Sequence, residues 1–400
     1  MRHALLLTLF AALPASALGQ SAGPARASVV FDRHGEIAAT ASGIADPSSR
    51  RSATPDDPVR VASISKLVVT VAVMRLVEQH RLDLDRPIGD YLGYPVRNPA
   101  FPGQKVTLRR LLSHTSSLRD HDDQYAIPLG QTLKSVLDDP ASWDPLHGPQ
   151  GDYFTYANVN FPVVGSIVER VTHERFDMAM RRLVLAPMKL DACYNWPTCS
   201  DAAIKRAVVL VQDGAVVKDD LRGRQPACPV FVHDGQNCDL GGYRPGGNGS
   251  LFAPQGGLRI SARDLARIGR MLMNGGTIDG VRILSRRSVA AMTRPAWVWN
   301  GSNGDSEGGI YCRFGLSIHL LATPQQSCHD DPGLPKGDWL GHSGEAYGLR
   351  SGLWWDRKGK RGMAYYTTGL PADTPMGKSA FTAPEEADVA RAVTLLQQAP

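Results

Sequence analysis

In Arg60-Val-Ala-Ser-Ile-Ser-Lys66 and the run behind it, Leu67-Val-Val-Thr-Val-Ala-Val-Met-Arg-Leu-Val77, a lysine sits within sequence that is otherwise apolar on nearly every face. From Ile64 to Val77 the apolar pattern is broken mainly by Lys66 and Arg75, and a helix apolar all round belongs in a protein interior. An ammonium there costs several kcal/mol unless it is paired or neutral. Ser63 lies one turn earlier, on the same helix face as Lys66. It also stands at the helix start, where free backbone N–H groups and the helix dipole favour developing negative charge. A serine nucleophile needs a nearby base, and a desolvated lysine with a depressed pKa can serve. Ser-x-x-Lys alone arises by chance in a chain this long. The strand-like Val59-Arg-Val61 before it and the apolar helix after it give it weight.

Two further constellations match that chemistry. Tyr156-Ala-Asn158 stands between a strand-like aromatic stretch, Tyr153-Phe-Thr155, and a helix. A lysine cation near a tyrosine can lower its pKa enough for it to act first as base and then as acid. Asn158 offers a carboxamide to hold a substrate amide. His342-Ser343-Gly344 ends a predicted strand, where the glycine lets a substrate lie alongside and strand N–H groups can donate to an oxyanion.

Around these motifs the chain reads as strands at both ends and helices between. Ser28 to Phe31 and Glu36 to Ala41, joined across Arg33-His-Gly35, predict a hairpin. Leu108 to Leu112, Val163 to Val171 and Met178 to Leu185 look helical. Ser261 caps a helix that runs to Asn274, with Asp264 at its third position and Gly275-Gly276 at its end. A Gly-rich loop spans Gly235 to Gly257. Trp339 to Gly344, Gly348 to Asp356 and Gly362 to Thr368 read as strands. Thr382-Ala-Pro-Glu385 is a capping box for a C-terminal helix with Val389, Val393 and Leu396 on one face. The order predicts an α+β fold of α/β sandwich type. Its antiparallel, five-stranded-type sheet is drawn from both termini and flanked by helices, with a mostly helical inserted subdomain over roughly 90–290.

The 400 residues, 42% hydrophobic and 21% charged with 40 Gly and 28 Pro, exclude collagen, coiled coil and wholesale disorder. Forty-four basic against 39 acidic residues leave a formal charge of +5, but Arg109-Arg110, Arg181-Arg182 and Arg286-Arg287 are scattered and no basic cluster alternates with aromatics. No nucleic-acid partner is expected. Arg2-His3, the apolar run Ala4 to Leu13 and Ala15-Ser-Ala17 read as a signal peptide over 1–19, leaving a periplasmic or secreted domain over 20–400 without a membrane anchor. Six cysteines in an exported chain favour disulfides between neighbours: Cys193–Cys199, Cys228–Cys238 and Cys312–Cys328. Their spacing does not suit zinc, and no metal is expected. Gly304-Asp-Ser-Glu-Gly308 matches the esterase pattern Gly-x-Ser-x-Gly, but its flanks are polar loop where that motif needs a strand and a helix. Asp120-His-Asp-Asp123 reads as solvated acids in a loop that could border the cleft, and His114 as a hydrogen-bonded structural histidine.

In order and spacing, Ser63-x-x-Lys66, Tyr156-x-Asn158 and His342-x-Gly344 resemble the penicillin-recognising serine hydrolases, especially class C β-lactamase-like proteins and serine D-alanyl-D-alanine carboxypeptidases. Leu82-Asp-Leu-Asp-Arg-Pro-Ile88, Leu111-Leu-Ser-His-Thr-Ser-Ser-Leu118, Asn158-Val-Asn-Phe161 and Gly256-Gly-Leu-Arg-Ile-Ser-Ala-Arg-Asp-Leu-Ala266 extend the likeness. The resemblance implies a β-lactamase/transpeptidase-like fold and a covalent acyl-enzyme without cofactor. Ser63 would be acylated and Lys66 would take its proton. Tyr156 would relay that proton to the leaving group and later activate water. Asn158 would hold the acyl-side amide, and the N–H groups of Ser63 and Glu345 would form the oxyanion hole. His342, Ser343, Gly344 and Glu345 would line the substrate.

Three positions depart from that pattern. His342 stands where β-lactamases of this class carry lysine, which leans toward the peptidase and esterase branches. Glu345 stands where the carboxypeptidases carry a hydroxyl residue that binds a terminal carboxylate. It would repel that group unless Arg350 or another cation neutralises it, and it leaves room for an amine-bearing or neutral substrate. Ser117 replaces the usual glycine after His-Thr-Ser. The expected protein is a monomeric exported serine hydrolase. Its small-molecule or peptide substrates would be amides or esters: D-amino-acid peptides, β-lactams or small esters. The alternative is a non-catalytic penicillin-binding-type sensor of peptidoglycan fragments.

Overall fold

The computed structural model describes residues 23–150, 153–218, 225–233 and 235–398. The expected signal peptide lies outside them. The strands that matter here are β1 (Arg26–Asp32), β2 (Glu36–Ser42), β3 (Val59–Arg60), β4 (Cys193–Tyr194), β5 (Leu258–Ile260), β6 (Trp297–Val298), β7 (Arg313–Phe314), β8 (His319–Leu320), β9 (Trp339–Ala346), β10 (Leu349–Asp356) and β11 (Arg361–Thr367). The helices are α1 (Ile64–Glu78), α2 (Leu108–Leu112), α3 (Asn160–Thr172), α4 (Ala262–Met273) and α5 (Ala383–Gln398).

β1 and β2 form the expected hairpin, its turn closed by Asp32, whose Oδ1 accepts from the N–H groups of His34 and Gly35. β1 also pairs with β11, so the two ends of the chain meet in one antiparallel sheet of order β6-β7-β8-β9-β10-β11-β1-β2. Five long strands carry it, as the sequence predicts. The three two-residue strands β6, β7 and β8 widen it to eight, and they are too short to show an alternating pattern.

Alternation along the long strands assigns the faces. Val29, Phe31, Leu353, Trp355, Ala364 and Tyr366 pack in the same core as α1 and α4. Val30, Trp354, Met363 and Tyr365 point the other way, onto Val389 and Ala392 of α5. The result is a three-layer helix–sheet–helix sandwich. α4 lies within the 90–290 span yet packs against β1, β10 and β11. Its cap is as predicted, with Asp264 N–H donating to Ser261 Oγ at 3.0 Å. At α5 the Glu385 carboxylate reaches back to the Thr382 N–H at 2.9 Å.

The helix Phe176–Met180 continues as a looser π turn over Arg181–Leu185, close to the predicted 178–185. The three neighbouring disulfides are those expected: Cys193–Cys199, Cys228–Cys238 and Cys312–Cys328. Among the described residues no helix is long and apolar enough to cross a membrane.

Candidate active site

β3 pairs with β5, and β5 with β4, which sets the segment before Leu258 against the start of α1. Between β3 and α1 the backbone turns through Ala62, at φ +47°, a conformation costly for a residue with a Cβ. Ser65 holds the turn: its Oγ donates to Ala62 O at 2.6 Å and accepts from Leu258 N–H at 3.0 Å. Ser63 follows at the mouth of the helix.

Lys66 is wholly buried in α1, as its apolar surroundings predict. Nζ makes three hydrogen bonds, to Ser63 Oγ at 2.9 Å, Asn158 Oδ1 at 2.8 Å and the Gln255 carbonyl at 3.0 Å, which matches the three protons of an ammonium. Burial lowers its pKa to about 7, and the charge of Asp120 opposes the fall. Both protonation states are therefore populated at neutral pH.

Asp120 and Gln255 escape sequence reasoning. Asp120 accepts from Asn158 N–H, Asn158 Nδ2 and Val159 N–H at 2.7–2.9 Å, and so sits at the mouth of α3. Read as a solvated loop acid, it is instead the group that orients Asn158. Gln255 contributes its backbone carbonyl, which leaves no side-chain signal to read.

Tyr156 lies half-buried over Lys66, with Nζ 4.9 Å from its ring centroid. The expectation that Lys66 lowers its pKa is not met. Burial pushes the phenol well up, Glu307 and Asp120 push it the same way, and the hydroxyls of Ser63 and Tyr311 only partly offset this. Desolvation is the largest of these effects, and it leaves Tyr156 a neutral phenol. Its ring stacks between His114 at 4.3 Å and Tyr311 at 5.0 Å, centroid to centroid. His114 is structural, as predicted: its Nδ1 accepts from Ala157 N–H at 3.1 Å, and burial keeps the ring neutral.

β9 runs two residues beyond its predicted end and carries Glu345. Gly344 is pressed against the Ser63 turn, where a Cβ would lie 2.3 Å from Val61 O and 3.2 Å from Ser63 N. Only glycine lets β9 come this close. Ser351 of β10 fixes the approach by donating to Val61 O at 3.1 Å. His342 Nδ1–H donates to Ser343 O at 2.5 Å, and burial lowers its pKa to about 3, so the ring is uncharged.

Glu345 pairs across the strands with Arg350, Oε1 to Nη2 at 2.7 Å, while Arg350 Nε lies 3.8 Å from Glu385. The neutralising partner is thus Arg350, flanked by two carboxylates. Ser63, Tyr156, Asn158, Ser343, Gly344 and Glu345 all border one cavity of about 540 Å³. Lys66 lies behind it, and His342 is buried beside Tyr156, the ring centroids 6.2 Å apart.

The beta-lactamase family model matches residues 16–383. The chain belongs to the beta-lactamase family. Members of that family are serine hydrolases. Penicillin-binding protein 4 of Amycolatopsis lactamdurans is 28% identical over 260 residues, 64% of this chain and 62% of its own length. Esterase EstB of Burkholderia gladioli is 30% identical over 248 residues, 56% of each chain. This beta-lactamase-family chain therefore spans little more than half of either relative. The D-amino acid amidase of Ochrobactrum anthropi SV3 shares the fold at a TM-score of 0.65 and 19% identity, over 94% of this chain and 93% of the amidase.

Proposed function

We propose that the protein is an exported, monomeric hydrolase that cleaves esters or amides through an acyl-enzyme on Ser63. The observation that carries this reading is the buried Lys66 amine, 2.9 Å from Ser63 Oγ and with a pKa near 7. The neutral amine takes the Ser63 proton as Oγ attacks the substrate carbonyl. Negative charge gathers on the carbonyl oxygen, facing the N–H groups of Ser63 and Glu345. Tyr156 gives its phenol proton to the leaving group and is reprotonated from the Lys66 ammonium, so the Ser63 proton leaves with the departing amine or alcohol. In the second half, Lys66 takes a proton from water as the water attacks the ester, and returns it to Ser63 Oγ as the acyl–Oγ bond breaks and the acid departs.

The cavity wall argues about substrates. Arg350 is committed to Glu345 and Glu385, His342 is uncharged, and Arg60 is turned to Asn195 and the face of Tyr347. None of these is a free cation like the lysine that a β-lactam carboxylate meets elsewhere in the family's pattern. Small esters and amides without a terminal carboxylate fit this wall better than β-lactams or peptides ending in D-alanine. Three disulfides suit an oxidising compartment and support export.

A fluorophosphonate probe tests the reading. Covalent labelling that disappears in Ser63→Ala is the expected result. A wild-type protein that neither labels nor hydrolyses a p-nitrophenyl ester is instead the non-catalytic sensor.

A further inference from the structure

The polar loop Gly304 to Gly308 carries no nucleophile, but it does bring Glu307 to the cavity that holds Ser63. The loop is firmly built. Asn303 O accepts from Phe154 N–H at 3.0 Å, Asp305 N–H donates to Phe154 O at 2.8 Å, and Tyr153 and Thr155 hydroxyls donate to Asp305 at 2.8 and 2.9 Å. It is thereby pinned alongside the strand-like stretch that leads into Tyr156, and Tyr311 N–H closes it onto Ser306 O at 3.0 Å.

Glu307 differs from the other carboxylates of this wall. Glu345 has Arg350, and Glu385 has the N–H and hydroxyl of Thr382. Among the described residues, Glu307 receives no hydrogen bond and no ion pair. Glu307 is exposed at the cavity rim, yet partial desolvation there and repulsion from Asp305, Glu345 and Asp120 raise its pKa to about 7. Aromatic walls stand nearby, since Tyr311 and Tyr156 stack on each other and border the same cavity with Tyr125 and Tyr347. An unpaired carboxylate at the rim of a cavity bordered by tyrosines is a setting that binds an alkylammonium by ion pairing.

The side of the cavity follows from Tyr156. Glu307 stands in the loop bonded to Phe154 and Thr155, which lead into Tyr156, and to Tyr311, whose ring stacks on Tyr156, and Tyr156 is the phenol that faces the departing group in the acyl-serine reading. We propose that Glu307 is a specificity residue that binds a primary ammonium on the leaving group, so that the preferred substrates are esters or amides of amine-bearing alcohols or amines. This rests on the acyl-serine reading above.

The test pairs 4-(aminomethyl)phenyl acetate, cationic at neutral pH, with its uncharged isostere 4-ethylphenyl acetate. The quantity read is the ratio of their kcat/KM values, in which any general effect on folding or on acylation cancels. Glu307→Gln lowers that ratio roughly tenfold, the usual scale for losing a charged hydrogen-bond partner. Glu307→Lys lowers it further and improves 4-(carboxymethyl)phenyl acetate relative to the neutral ester. Glu307→Asp keeps part of the preference. A ratio that Glu307→Gln leaves unchanged overturns this proposal while hydrolysis of the neutral ester upholds the acyl-serine reading. If the wild type cleaves neither ester and Ser63 takes no fluorophosphonate, both fall together.

Discussion

Asp120 accepts the main-chain N–H of Asn158 at 2.7 Å and its carboxamide N–H at 2.9 Å, which turns the Asn158 carbonyl oxygen onto Lys66 Nζ at 2.8 Å. The carboxylate thus acts on Lys66 in two ways, through the orientation of Asn158 and through its own charge, which raises the lysine pKa. In Asp120→Ala the carboxamide is free to rotate, and kcat/KM falls about tenfold to a hundredfold as a charged hydrogen-bond acceptor is lost. The lysine also loses a stabilising charge, so the acid limb of the pH–rate profile moves to lower pH. A limb that stays in place or moves upward contradicts the electrostatic link.

The wild-type profile follows from Lys66 itself. Only the neutral amine can take the Ser63 proton, so acylation falls as pH drops below about 7, the pKa to which burial lowers this lysine. The neighbouring imidazoles do not produce that limb. His342 titrates only near pH 3, and His114 is held neutral by burial. Glu307 also titrates near 7, so the limb should persist in Glu307→Gln when a neutral ester is the substrate. The rate of fluorophosphonate labelling measures acylation directly. A labelling rate that is flat across this pH range would falsify the assignment of Lys66 as base.

Lys66 is legible in the sequence because a charge inside an all-apolar helix breaks a pattern that nothing else explains. The hairpin β1–β2, the caps of α4 and α5 and the three disulfides are legible for a similar reason: each is a local signal over a few residues. The rest depends on distance in space. Gln255 serves Lys66 through a carbonyl that any residue would supply. Asp120 reads as a solvated acid until α3 brings Asn158 and Val159 against it. The direction of the Tyr156 pKa turns on how completely Tyr311 and His114 cover the ring, and composition carries no measure of that cover.

Arg350 stands 2.7 Å from Glu345, so the cation that could hold a substrate carboxylate is already paired. Replacing Glu345 with threonine removes the closer of the two carboxylates beside Arg350 and places a hydroxyl there, with Glu385 still 3.8 Å from the guanidinium. Hydrolysis of peptides ending in D-alanyl-D-alanine is expected to rise about tenfold, the scale of one charge-assisted contact. The gain should vanish in Glu345→Thr/Arg350→Ala, which has the hydroxyl without the cation. An unchanged or lower rate in the single variant would sink the idea that the Glu345–Arg350 pair excludes such ends.

Gly344 offers the most direct test of how strand β9 serves Ser63. A Cβ at this position would lie 2.3 Å from Val61 O, 2.6 Å from Ser351 Oγ and 3.2 Å from Ser63 N. β9 cannot retreat, because it is paired with β10 along its whole length, from Trp339↔Asp356 to Ala346↔Leu349. The Ser63 turn must therefore give way, and the N–H groups of Ser63 and Glu345, the proposed oxyanion hole, separate. Losing one oxyanion donor costs about a hundredfold to a thousandfold in kcat, so Gly344→Ala should lose at least about a hundredfold in kcat with a smaller change in KM. Overpacking should also lower stability by about 1–3 kcal/mol. Adding Ser351→Gly removes the 2.6 Å contact but leaves Val61 O in the way. The double variant also loses the Ser351 hydrogen bond to Val61 O, so neither stability in thermal unfolding nor kcat should recover. Recovery of kcat together with stability would mean that the glycine matters for packing alone.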